Sequence, residues 1–453
     1  MQISPFIKAK FICKIVLIEI MALAGLNKHK EKTMAYVKYS TDELMECIDV
    51  FNVSDETQNK IRKLLEAEKN PPDAGNFFRY YNPRSKVVKF EEMVKEKTGS
   101  KYALAVNSGT SALVAAMVAA GVGPGDEVIV PAYTFFASAS AVVVAKGIPV
   151  ITDIDETLSL DPAAIEKNIT RKTKAILPVH MLGLPSKMDE ICRIAAKYKL
   201  KVIEDTAQAF GGKYKGKYLG TLGDVGCISL DAYKVIGTGE GGLVLTDDEW
   251  IYIKAQSYHD AAACWRPERY ARERKKGELF CGENYRMPEL CAAVGIAQLK
   301  KLDWINESTR AAWKQFRAEL KLPSCAKLVE SNDENGACGY TLGILFEKSE
   351  QCIKVINANI GFGGLAAKDT KGVRDWHVYW NWEQILEQKT PTEEGCPFKC
   401  QHVSKLPAYS PDMCMKTKDI MLRLATIAIA PSSNPNDVSA AAERISNELK
   451  KLF

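Results

Sequence analysis

The sequence has no excess of charge of either sign. Its 61 lysines and arginines stand against 56 aspartates and glutamates, a formal charge of +5 over 453 residues. No basic stripe with interleaved aromatics accompanies that balance, so nothing points to a nucleic-acid partner. Internal repeats and long low-complexity segments are also missing, which excludes solenoids and fibrous arrays. A membrane span is missing too: the apolar run over 11–26 is short and is interrupted by Lys14 and Glu19. That run follows Lys8 and Lys10 and contains Ala22-Leu23-Ala24, as a secretory signal would. Charges inside so short an apolar stretch are costly, and residues 1–33 are expected to be a non-structural extension upstream of a later start at Met21 or Met34. No disulfide framework is expected. The 13 cysteines are odd in number and scattered from Cys13 to Cys414, mostly in apolar or helical-looking segments. They read as reduced, buried thiols of a cytoplasmic protein. No metal is expected either, because Cys396, Cys400 and His402 have loose spacing and only Cys414 as a fourth ligand for tetrahedral zinc.

The remaining composition, 46% hydrophobic and 26% charged, is that of a globular protein long enough for a large core. Ser40-Thr41-Asp42-Glu43 has capping-box spacing and predicts a helix to about residue 51. Ser54 caps a second helix to about 68, and 70–75 is a loop. From residue 87 short apolar strands alternate with helices. Strands are expected at 102–106, 127–131, 149–153, 175–179, 202–204, 227–230 and 243–246. Helices are expected at 89–98, 108–120, 136–146, 161–168 and 188–199. This is the pattern of βαβ units around a parallel sheet, an α/β fold. Beyond 248 the chain is expected to be helical to about 302, apart from a loop rich in Arg and Lys, with a further helix over 304–320. A smaller α+β domain follows, with a strand near 340–346 and a helix over 438–450. The expected division is therefore 1–33, 34–300 and 301–453.

In such sheets ligands sit at the carboxyl ends of strands, so polar residues there carry information. Asn107-Ser108-Gly109-Thr110-Ser111 joins a strand to a helix; free N–H groups and the helix dipole suit a phosphate, and an ordinary N-cap suits the position equally. Asp205, in Glu204-Asp205-Thr206-Ala207-Gln208, is placed to be buried and then needs a partner. The pyridine nitrogen of pyridoxal phosphate (PLP) is one such partner; capping of the next helix is the alternative. Lys234, in Ser229-Leu230-Asp231-Ala232-Tyr233-Lys234, can form a Schiff base with an aldehyde cofactor and then shuttle a proton, or it is a surface lysine. Gly237-Thr238-Gly239-Glu240-Gly241-Gly242 spells a dinucleotide fingerprint but precedes a strand, where the fingerprint must follow one and open a helix.

These segments, with Pro131-Ala-Tyr-Thr-Phe-Phe-Ala-Ser and Asn284-Tyr-Arg-Met-Pro-Glu-Leu, resemble the DegT/DnrJ/EryC1/StrS family of PLP-dependent sugar aminotransferases. The resemblance implies fold type I: a large, mostly parallel-sheet domain plus a smaller α+β C-terminal domain. It implies Lys234 as the lysine bonded to PLP, Asp205 as the pyridinium partner and Gln208 as the neighbour of the cofactor's phenolic oxygen. It makes Gly109, Thr110 and Ser229 phosphate ligands and Phe135 the aromatic stacked on the ring. Asn284 would reach the phosphate of a second subunit, hence a homodimer with shared sites. The amino donor would be glutamate and the acceptor a keto or aldehyde sugar. Asp231, in Ser-x-Asp-x-x-Lys, resembles the members acting on an eight-carbon keto-sugar acid, the 8-amino-3,8-dideoxy-manno-octulosonate transaminases; many nucleotide-sugar members carry His or Gln there. Trp376 and His377, within 374–382, are candidate substrate-wall residues, and packing in the core suits these aromatics as well. The basic stretch 261–278 is a solvated face or an attractor for an anionic sugar. Two other functions share the fold: a PLP-dependent sugar dehydratase, which has histidine in place of the lysine, and a non-catalytic sensor.

Overall fold

The computed structural model describes residues 39–68, 84–262, 272–365, 372, 374–431 and 433–453. The expected extension over 1–33, the loop over 70–75 and the middle of the basic stretch lie outside them. The chain divides into two units at Gly75/Asn76, so the two opening helices belong to the first unit and not to the body that carries the large sheet. In that first unit, α1 (Thr41–Asp49) starts from the Ser40–Glu43 capping box. The second helix, α2 (Asp55–Glu66), starts where Ser54 Oγ accepts the Thr57 N–H.

The second unit is built on seven strands: β1 (Tyr102–Val106), β2 (Glu127–Pro131), β3 (Ile148–Thr152), β4 (Thr173–Ile176), β5 (Lys201–Asp205), β8 (Val225–Ser229) and β9 (Gly242–Thr246). A small hairpin, β6 (Lys213–Tyr214) and β7 (Lys217–Tyr218), interrupts the series. The sheet order is β1-β9-β8-β5-β4-β2-β3, with β9 antiparallel to both its neighbours. The other pairings are parallel. The regular strand expected over 175–179 runs only to Ile176; Pro178 has no N–H to donate, and pairing resumes as a single parallel bridge between Val179 and Asp205. The helix over Gly109–Ala119 is buried nearly all round, which explains its run of alanines. It packs under the strand ends with small side chains that let the backbone approach closely.

The loop rich in Arg and Lys expected within 249–302 extends further than its basic residues, since the described residues 272–288 carry no helix. One helix spans Glu249–His259 and the next Glu289–Leu299. Between them the chain runs back along the first helix's end, where Glu283 N–H donates to Tyr258 O at 2.7 Å. That approach needs Gly282, whose added Cβ would lie 2.3 Å from Tyr258 O. The long helix over Leu302–Glu319 leads into a four-stranded antiparallel sheet of order β10-β11-β13-β12, comprising Ala326–Leu328, Thr341–Phe346, Leu424–Ala428 and Gly363–Gly364. A single core cluster carries residues of both sheets, Leu104 and Leu345 among them. Among the described residues no helix is long and apolar enough to cross a membrane, and no cluster of His, Cys, Asp and Glu has a metal-holding arrangement. Cys414 is buried, with its thiol on Ile151 O, whereas Cys396 and Cys400 are half-exposed.

Candidate active site

Strands β5 and β8 lie side by side, with Asp205 in register with Cys227. Ser229 therefore stands two residues further along β8, and both acids and hydroxyls at these carboxyl ends face one cavity of about 570 Å³. That cavity brings together Asp205, Lys234, Gln208, Ser229, Gly109 and Thr110, with Phe135 and His377 on its wall.

Asp205 ends β5 and is 4% exposed. Its Oδ2 accepts the Ser138 hydroxyl at 2.7 Å and its Oδ1 the Ala207 N–H at 3.1 Å. Burial holds its pKa above the ordinary carboxylate value, against the pull of those two hydrogen bonds and of the charges on Lys234 and His180. A carboxylate so placed calls for a cation. Glu204, one residue earlier, faces the opposite side of the sheet, as strand alternation requires. Fully buried, it accepts the N–H groups of Gly220, Leu222 and Gly223 and pairs with His180 Nε2 at 3.1 Å. It ties down the loop before β8 and takes no part in the cavity. Glu204→Ala is expected to destabilise the protein by about 3–5 kcal/mol, since it orphans a buried histidine and three N–H groups. Urea unfolding measures this, and a change below ~1 kcal/mol would contradict the assignment.

Lys234 reaches the cavity because an Asx turn bends the chain after β8. Asp231 Oδ1 accepts the Tyr233 N–H and Asp231 O accepts the Lys234 N–H, both at 3.0 Å. The glycine-rich stretch closes the same loop: Ala232 N–H donates to Gly239 O, and Gly239 has φ +82°. It then opens β9, so it is a turn device and opens no helix. At the phosphate-type turn, Ser108 Oγ accepts the Ser111 N–H at 3.0 Å, which caps the helix and leaves its first N–H groups facing the cavity. Gly109 lies so close to β8 that a Cβ there would meet Ser229 Cβ at 2.6 Å.

Gln208 is held through its oxygen, which accepts the Leu182 N–H at 3.1 Å, so its NH2 is left to donate. Leu182 supplies that N–H from φ +55°, an unusual conformation for a branched residue and the kind of local strain found at functional sites. Phe135 is 48% exposed, with its ring 5.3 Å from that of His377. Two sequence candidates stand outside the cavity's lining. Trp376 packs its ring 5.5 Å from Phe136, while its carbonyl accepts Trp382 Nε1–H. Asn284 is exposed at the chain surface. Sequence reasoning missed Leu182, and it named Tyr133, Ser138 and Asp375 only as members of the 131–138 and 374–382 segments, without individual roles. Ser138 lies within the quoted Pro131–Ser138 segment; its spacing of four from Thr134, to which it hydrogen-bonds, was the available signal.

A buried carboxylate short of a cation, a lysine amine in the same cavity and an anion-type helix start at its edge fit one group, PLP. The fold is fold type I of PLP-dependent enzymes, and this cavity carries the groups such an enzyme needs. The family model for DegT/DnrJ/EryC1/StrS aminotransferases matches residues 76–359, and the chain belongs to that family. GDP-perosamine synthase of Escherichia coli O157:H7 is 43% identical over 218 residues, 48% of this chain and 58% of that protein. The chain thus matches less than two-thirds of that relative's length. Among solved structures, the aminotransferase from Psychrobacter cryohalolentis has a TM-score of 0.68 at 25% identity, covering 88% of this chain and 98% of that one. NtdA from Bacillus subtilis, with bound cofactor PMP, has a TM-score of 0.62 at 25% identity, covering 94% and 86%.

Proposed function

We propose that this protein transfers an amino group between glutamate and a keto sugar, with a nucleotide-linked sugar as substrate and Lys234 and Asp205 as the catalytic pair. The observation that carries the reading is the placement of Lys234 and Asp205 in one cavity, beside the Gly109-Thr110 helix start. Bound PLP supplies an aldehyde for Schiff-base chemistry and a ring that acts as an electron sink. The chain's residues do the rest. Asp205 would hold a proton on the ring nitrogen, and Gln208 would donate to the phenolic oxygen. Gly109, Thr110 and Ser229 would bind the phosphate, and Phe135 would pack against the ring. The Lys234 amine would anchor the group and would move a proton between carbon atoms. Donor and acceptor use the same cavity in turn, so ping-pong kinetics are expected. Lys234 favours transamination over dehydration, where the resemblance places histidine.

The relative's name supports a GDP-linked sugar, and Asp231 supports an octulosonate-type acid as the second reading. Asn284 lies exposed and outside its own chain's cavity, the disposition expected if it serves the neighbouring site of a homodimer. The test runs the reaction backwards. Purified protein with 2-oxoglutarate is given GDP-perosamine or 8-amino-3,8-dideoxy-manno-octulosonate, and glutamate is measured. Glutamate from GDP-perosamine supports the nucleotide-sugar reading. Glutamate from the octulosonate alone replaces it with the second, and none from either amino sugar would overturn both.

A further inference from the structure

Gln208 stands in a turn just past β5, where the Ala209 N–H donates to Thr206 O. That turn leaves the Gln208 carbonyl outside any ladder, and the Tyr340 hydroxyl donates to it at 2.8 Å. The same hydroxyl lies 3.4 Å from Gln208 Oε1. One proton serves both, so the short bond fixes the backbone at 208 and the longer one leans on the side chain. Leu182 N–H is the second donor to Oε1. A flipped carboxamide would lose both contacts and turn its NH2 towards two donors, so one orientation is strongly preferred.

Tyr340 is itself fixed. It stands one residue before β11, and its carbonyl accepts the Ile429 N–H at 2.8 Å. Its ring lies against Gly183, where an added Cβ would come within 2.7 Å of Tyr340 Cε1. Cys338 N–H donates to Gly183 O at 2.9 Å and ties the two segments together. The turn that supplies the Leu182 N–H and the segment that supplies the Tyr340 hydroxyl therefore form one clamp on Gln208. Burial pushes the Tyr340 phenol well above its ordinary value, with Cys338 and Tyr133 facing it and adding to the rise, so the group stays a neutral O–H donor. Tyr340 stands outside the lining of the Lys234 cavity. It borders a neighbouring cavity of about 470 Å³ that Gln208 and Lys234 also line.

We propose that Tyr340 is a positioning residue for the cofactor: with Leu182 it orients the Gln208 carboxamide so that the NH2 faces the phenolic oxygen. The small sheet, and not the strands that carry Asp205 and Ser229, then sets that donor. The proposal rests on the role given to Gln208 in the proposed function.

The phenolic oxygen of bound PLP shares a proton with the nitrogen that bonds the cofactor. A donor on that oxygen competes for its lone pairs, so loss of the donor lets the shared proton stay to higher pH. The measured quantity is the pH midpoint of the bound cofactor's absorbance change, which needs neither substrate nor turnover. Gln208→Leu is expected to raise it by about 1–2 pH units, the worth of a hydrogen bond to a charged oxygen. Tyr340→Phe keeps the ring against Gly183 and should raise it by about 0.5–1 unit. The double variant should match Gln208→Leu alone to within about 0.3 unit, since Tyr340 has nothing to orient once the carboxamide is gone. Asp205, Asp231, Glu240 and His377 line the same cavity and His180 adjoins Asp205; all are present in each protein compared, so their charges enter every midpoint alike. An unchanged midpoint in Tyr340→Phe, or a double variant shifted by the sum of the two, would overturn the positioning role. An unchanged midpoint in Gln208→Leu would instead remove the role given to Gln208, and with it this proposal, while leaving amino transfer through Lys234 standing.

Discussion

Lys234→Ala is expected to lower the rate of transamination by roughly 10⁴-fold, because on the proposed function it removes both the amine that would bond the cofactor and the base that would move the proton. The fold should be untouched. Lys234 sits half-buried in a turn built by Asp231 and by backbone groups, and its side chain has no hydrogen-bond partner among the described residues. Unfolding free energy should therefore change by no more than about 0.5 kcal/mol. Borohydride reduction followed by peptide mass analysis should find the pyridoxyl adduct on the peptide containing Lys234 in the wild type and no adduct in the variant. A small primary amine added to the variant should restore part of the proton transfer without restoring the adduct. Retention of more than about a tenth of the wild-type rate, or an adduct on another lysine, would remove Lys234 from its role.

Asp205→Asn is expected to lower the rate by about 10²–10³-fold, the usual loss when one preorganised charge at the reacting centre is removed. Its effect on stability separates this role from a structural one. Burial raises the Asp205 pKa in the folded protein relative to the unfolded chain. A raised carboxyl pKa means that the folded state favours the protonated form. The stability this contributes is complete below the unfolded-state pKa and is lost as pH rises through the folded-state value. Without cofactor, wild-type protein at pH 7 therefore carries a penalty that asparagine removes. The asparagine variant should be the more stable of the two apoproteins at pH 7, and the difference should shrink towards pH 4. Adding PLP should reverse the order, since the pyridinium neutralises the aspartate and has no charge to meet in the variant. Thermal unfolding at the two pH values, with and without PLP, measures all four states. An apoprotein difference independent of pH would contradict the buried-carboxylate account.

Much of this architecture was legible in one dimension. The strands of the large sheet were found nearly in place because short apolar runs bounded by turn residues specify buried parallel strands. Asp205 and the Ser108 turn could be singled out because ligands in such sheets sit at the carboxyl ends of strands, with helix capping as the alternative; Ser229 was named through the family resemblance. The failures have physical causes. Pro178 interrupted a ladder whose apolar pattern continued, since it has no N–H to donate, and only a single bridge at Val179 follows. The loop expected after residue 260 reached further than its basic composition marked, because Glu283 N–H bonds Tyr258 O, a contact across 25 residues that no local pattern encodes.

For this protein, local sequence determined the alternation of strands and helices, the caps at Ser40, Ser54 and Ser108, and which side chains stand at strand ends. Those outcomes depend on interactions between residues a few positions apart. Tertiary structure alone decided that Glu204 and Asp205, neighbours in the chain, face a buried loop and an open cavity respectively. It alone brought the Tyr340 hydroxyl onto Gln208, 132 residues away. Such meetings are set by how the sheets pack over a shared core, and packing depends on the shape of the whole molecule, not on the pattern of any one segment.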